Sequence, residues 1–275
     1  MFNSGSRMYF FIGINCIVFV ALGILNVIEF LFTRSTPLSY WISENLALPA
    51  YLPSLMYKPW ALATYMFTHA GFFHFFFNML WLYWMGRIFE DFLNPCQFTF
   101  NYLAGGLTGG ILYIISYNIF PGLKDNLIGA EMVGSSASVM AIAVATATLL
   151  PDYSIRLLFL GDVKLKFLII AYVLLDVIGI AQLNAGGSIA HLGGALLGFI
   201  YIKQLQNGND WSKLFQKRKR LRVIKNTAAG SRSANTFPPE EVIDQILDKI
   251  SRSGYDSLSK QEKEQLFKAS KKDEK

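Results

Sequence analysis

Between residues 8 and 32 the chain runs for 25 residues with one charge, Glu29. In a helix rising 1.5 Å per residue, a run of that length matches the roughly 30 Å hydrocarbon core of a bilayer. It is too long for a signal h-region and lacks a small-residue cleavage site, so it reads as a retained helix. Five further apolar segments follow, near residues 73–93, 97–120, 135–150, 165–183 and 188–205, in a chain that is 53% hydrophobic. In lipid every backbone N–H and C=O must be satisfied within the protein, so isolated apolar runs of this kind fold as helices. The expected fold class is an all-α membrane protein, a bundle of six transmembrane helices with a small helical appendage at the C-terminus.

Six spans put both termini on one side of the membrane, and charge says which. Residues 1–205 carry nine Lys/Arg and nine Asp/Glu, whereas residues 206–275 carry sixteen and ten, so the net +6 belongs to the tail. The cluster Lys217, Arg218, Lys219, Arg220, Arg222 and Lys225, together with Arg156, Lys164 and Lys166 between spans 4 and 5, marks that side as cytoplasmic. Beside a membrane domain, a basic tail reads as retention and attraction to anionic lipid rather than as a nucleic-acid site. The domains expected are a membrane domain over 1–206, a basic linker over 207–239 and a short helical hairpin over 240–275. In that hairpin Val242, Ile243, Ile246, Leu247 and Ile250 recur at helical spacing, and Ser259 with Glu262 forms a capping box for a second helix. It is expected to dock on a cytoplasmic partner or on the membrane face.

Two stretches break the pattern. Residues 33–72 hold Pro37, Pro49, Pro53 and Pro59 among Trp41, Tyr51, Tyr57 and Trp60, the composition of a segment lying in the interface. The fourth span is cut short by Pro151-Asp152, so it starts below the membrane surface, and the polar stretch 121–134 before it is expected to dip inward beneath protein. A water-filled depression at the outer start of helix 4 follows from that. Cys16 and Cys96 have neither disulfide nor metal spacing and read as packing residues.

Spans 2, 4 and 6 run inward from the outer face, so their starts share one depth. That brings His74 and Asn78, Ser136, and His191 level, although they lie far apart in sequence. A serine hydroxyl needs a neighbouring base to become a nucleophile, and His191 is placed for that role. The first turn of helix 4 offers unpaired N–H groups to an oxyanion, and His74 with Asn78, four residues apart on one face, adds two side-chain donors. Gly194 and Gly198 below His191, and Ala143 and Ala147 below Ser136, permit close helix approach.

Gly134-Ser135-Ser136-Ala137, then His191 with Gly194 and Gly198, then His69, His74 and Asn78 before and within span 2, together resemble the motifs of the rhomboid intramembrane serine proteases. Pro59-Trp60 and Thr64 to Phe67 are similar to that family's first loop. The resemblance runs from about residue 8 to residue 205 and implies a Ser-His dyad that cuts transmembrane segments of protein substrates near their outer ends. It further implies sideways entry past helix 5, no metal or organic cofactor, and residence in a bacterial inner membrane. The sequence departs from the pattern at Ala137, where the family has glycine, and at Met140, where an aromatic often packs the catalytic histidine. A rhomboid-fold pseudoprotease that holds membrane helices without cutting them is the alternative, although such a chain is expected to lack Ser or His. A small transporter would carry inverted repeats, and none is visible.

Other polar residues read as structural. Ser135 and Ser138 face away from Ser136 and pack, His69 orders a loop, Glu29 lies near an interface, and Arg87, Glu90 and Asp91 form a cytoplasmic cluster. Gly105, Gly106, Gly109 and Gly110 are close-packing positions. Asp176, midway along a helix ending at residue 183, is expected to lie about 10 Å too deep to orient His191.

Overall fold

The computed structural model describes residues 5–157, 161–181, 184–215 and 240–270. The basic cluster at 217–225 and most of the expected linker lie outside the described residues. The chain divides into two compact units, residues 1–217 and 218–275.

In the first unit, α1 (Arg7–Thr33) is followed by α2 (Pro37–Leu46), β1 (Leu48–Pro49), α3 (Leu52–Tyr57) and α4 (Ala61–Thr64). Then come α5 (Phe72–Phe92), α6 (Pro95–Ile119), α7 (Pro121–Lys124), β2 (Glu131–Met132) and α8 (Ser136–Leu149). A hairpin of β3 (Ser154–Leu157) and β4 (Gly161–Lys164) leads to α9 (Leu165–Gly179) and α10 (Ala185–Gln206). The protein is mostly helical. Among the described residues, three helices are long and apolar enough to cross a bilayer: α1, α6 and α10. At 14 and 15 residues, α8 and α9 reach only about 21–22 Å, short of the full hydrocarbon core.

Two carboxylates, Glu90 and Glu29, close helix ends. Glu90 accepts from Ser6 Oγ (2.6 Å) and Met8 N (2.9 Å), fastening the start of α1 to the end of α5. Glu29 accepts from Leu38 N, Ser39 N and Ser39 Oγ at 2.7–2.8 Å. It thereby caps α2, whose own N-cap residue Thr36 makes no side-chain bond. Both satisfy donors that a helix start otherwise leaves orphaned. Asn94 and Gln97 form a reciprocal capping box at the start of α6.

The centre of the unit is α8, buried continuously from Ala137 to Ala147 and so apolar on every face. It is held by glycines. A Cβ on Gly105 or Gly109 of α6 would strike the methyl of Ala141 or Ala137. One on Gly194 or Gly198 of α10 would strike the carbonyl oxygen of Ala137 or Ala141. These registers make α10 parallel to α8 and α6 antiparallel to both, with backbones as close as glycine allows.

Residues 33–72, expected to lie in the interface, form short helices and the strand β1. Within the mostly helical chain, two short antiparallel ladders form among the described residues. β1 pairs β2 with Leu48 opposite Met132, and β3 pairs β4 with Arg156 opposite Asp162. The first ladder, with Ala50 N on Ala130 O (3.0 Å) and Lys58 on Glu131 (2.8 Å), ties the segment before α8 to the first loop. The second returns the chain from α8 to α9, where Asp152 bridges Lys164 and Lys166.

In the second unit α11 (Glu240–Ser253) and α12 (Lys260–Ser270) form the expected pair of helices. Among its described residues, Ile246 and Leu258 are buried. Ser259 and Glu262 make the reciprocal capping bonds, and Lys249 binds Glu262 at 2.9 Å.

Candidate active site

The site is built around a backbone turn only glycine fits. Gly134 takes φ +125°, donates its N–H to Tyr65 O (2.9 Å), and lies so close under the His74 ring that a Cβ would come within 2.6 Å of it. The next residue, Ser135, is the N-cap of α8 but does not cap it. Its hydroxyl is fully buried and joined to His69 Nε2 at 3.2 Å. Burial first, and the neighbouring His74 second, push the His69 ring down to about 4, so this bond joins neutral groups.

With Ser135 turned away, no described side chain caps the first-turn N–H groups of α8, and the positive end of its dipole is open. Ser136 is the first helical residue, and its side chain lines a cavity of about 1080 Å³. Ala137, in the place of the family's glycine, is helical and buried. No positive φ is required of it, since among described non-glycine residues only Arg34 has one.

His74 is the third residue of α5, and Asn78 lies one turn further along. Asn78 gives one amide hydrogen to His74 O (2.8 Å), which leaves the other for a ligand. Both residues line the same cavity as Ser136, and so does His191. The four residues picked from sequence therefore converge. No hydrogen bond joins Ser136 Oγ to His191 here; an unliganded site commonly holds such a pair longer than in the reacting complex.

His191 lies in the second turn of α10 rather than the first, because that helix starts at Ala185 with Asn184 as N-cap. Its Nδ1 is 2.8 Å from Asp176 Oδ1. The expectation that Asp176 is too deep is thus overturned. That reading ran the fifth helix to residue 183, but α9 stops at Gly179. Asp176 is three residues from the end of α9 and His191 six from the start of α10, which puts them about 4.5 and 9 Å along their helices from a shared connection.

Sequence reasoning also missed the aromatic wall. The Tyr172 ring meets His191 edge-on at 6.0 Å and stands 5.5 Å from Trp81, so the aromatic packing lost at Met140 comes from α9 instead. Tyr172 precedes Asp176 by four residues, a helical spacing that could have paired them. Ser138 packs on Met66 Sδ (4.0 Å), as a structural serine does.

A family model for the rhomboid domain matches residues 57–206, and one for a family of unknown function, DUF6576, matches residues 239–272. No curated protein matches the chain. The first match covers more than half of the 275 residues and contains every residue of the cavity discussed above. The chain is an integral membrane protein that belongs to the rhomboid family.

Proposed function

We propose that this protein is a serine endopeptidase that cleaves transmembrane segments of other proteins near the outer membrane face. One observation carries the reading: Ser136, His191, His74 and Asn78, from three different helices, line a single cavity. Its supporting frame is the parallel register of α8 and α10, with Gly194 against Ala137. Ser136 directly precedes that contact on α8, and His191 stands one turn before it on α10.

Ser136 Oγ attacks the scissile carbonyl carbon, forming a C–O bond as its proton passes to His191 Nε2. The oxyanion is held by the open N–H groups of α8, the His74 ring and the second Asn78 amide hydrogen, and losing one such donor costs about 10²–10³ in rate. Collapse breaks the C–N bond, and the Nε2 proton goes to the leaving amine. Water then attacks the acyl carbon, giving a proton to Nε2 that returns to Ser136 Oγ as the ester bond breaks.

In this reading α1, α5, α6, α8, α9 and α10 are the six membrane helices, both termini are cytoplasmic, and the membrane is a bacterial inner membrane. The shortness of α8 is then functional, since it sets the nucleophile below the surface where water still reaches. The test is cleavage of a fluorogenic transmembrane substrate by the full chain in liposomes. Wild type should yield product, whereas Ser136→Ala and His191→Ala should not. Cleavage surviving in either variant removes that residue from the chemistry. An inert wild type that also fails to label with a fluorophosphonate makes the chain a binding protein.

A further inference from the structure

Two residues of α9 grip the His191 ring. Tyr172 meets it edge-on at 6.0 Å and Asp176 bonds its Nδ1, one helical turn apart on one side of α9. The helix register enforces this. A Cβ on Gly179 would lie 2.6 Å from Ser188 Oγ, so Gly179 faces Ser188. Stepping three residues inward along each of the two antiparallel helices leads to Asp176 and His191. The pair is shielded, with side-chain exposures of 8% for Asp176 and 14% for His191. The second carboxylate oxygen, Oδ2, is buried and has no hydrogen-bond partner.

We propose that Asp176 is the positioning residue of His191, making the site a Ser136–His191–Asp176 triad rather than a dyad. This rests on the functional reading above. A neutral imidazole has one N–H. Donated from Nδ1 to Asp176 Oδ1, it leaves the lone pair on Nε2, the nitrogen that must take the Ser136 proton. The carboxylate accepts no proton at any step. Its effect grows during the reaction, because a buried carboxylate bonded to a neutral ring becomes half of an ion pair once His191 is protonated.

The test compares Asp176→Asn, Asp176→Leu and Asp176→Glu with wild type, as full chains in liposomes. It measures kcat and KM for a transmembrane substrate, and both the extent and the rate of fluorophosphonate labelling of Ser136. Asp176→Asn and Asp176→Leu should label to the wild-type extent, but with labelling rate and kcat lowered about 10²–10⁴-fold and KM within twofold, since Asp176 does not touch substrate. Asp176→Glu should recover at least tenfold over Asp176→Leu. An unchanged kcat in Asp176→Asn overturns the proposal, as an amide in place of the carboxylate would then suffice. A smaller labelled fraction with an unchanged rate per labelled site also overturns it, because Asp176 would then only support packing. Failure of the underlying dyad is distinguishable, since it appears as absent labelling in wild type.

Discussion

Substituting Gly194 by alanine tests how tightly the site depends on helix approach. The added Cβ would run into the carbonyl oxygen of Ala137 and come within 2.9 Å of its carbon, against about 3.5–4.0 Å for a comfortable carbon–carbon contact. Backbone cannot yield as a flexible side chain does, so α10 must part from α8 by about 1 Å. Overpacking of that size costs about 1–3 kcal/mol. It also separates His191 from Ser136, and a 1 Å misplacement is worth about 10²-fold in rate. The assay is the unfolding midpoint in detergent together with kcat in liposomes, with Gly23→Ala on α1 as control, since a Cβ there meets nothing within 4 Å. If Gly194→Ala matched the control in both, the glycine contact would not be setting the distance between the two helices.

Gly134→Ala places a side chain at φ +125° and under the His74 ring. It should cost about 1–3 kcal/mol in stability and lower kcat more than KM, read from the same two assays. In the second unit Glu262 is pulled down to about 2 by Lys249 first and then by the Ser259 N–H and hydroxyl. A carboxylate with a depressed folded-state pKa stabilises fully above its ordinary 4.5 and loses that stabilisation as pH falls toward 2. Amide protection factors in α11 and α12, taken against the intrinsic rate at each pH, should therefore fall over that window, and Glu262→Gln should remove the acid dependence. Deleting residues 231–275 should leave hydrolysis of a short model substrate within twofold of the full chain, because every residue lining the cavity precedes that cut.

Much of the site was legible in the chain because its chemistry is sparse. With three histidines in 275 residues, each beside an apolar segment, helix direction alone brought His74, Asn78, Ser136 and His191 to one depth. The glycines of α6 and α10 were legible for a similar reason, since small residues at helical spacing in lipid-facing sequence point to backbone contact. The partners of Glu29 and Glu90 were not. A carboxylate closing the end of another helix depends on where two helix ends meet, and nothing local to either residue records that.

Asp176 marks the same boundary. Apolar composition determined that the chain enters the membrane, and patterned polar residues pointed to the helix ends that gather around one cavity. Composition could not show that α9 stops at Gly179, that Gly179 faces Ser188, or that Tyr172 and Asp176 consequently close on His191. Hydrophobicity continues past a helix end wherever lipid or protein still covers the chain, so it bounds a span only to within a turn. One turn is 5.4 Å, more than the 2.8 Å that separates the two bonded atoms. Only the packed antiparallel register of α9 and α10 decided that distance.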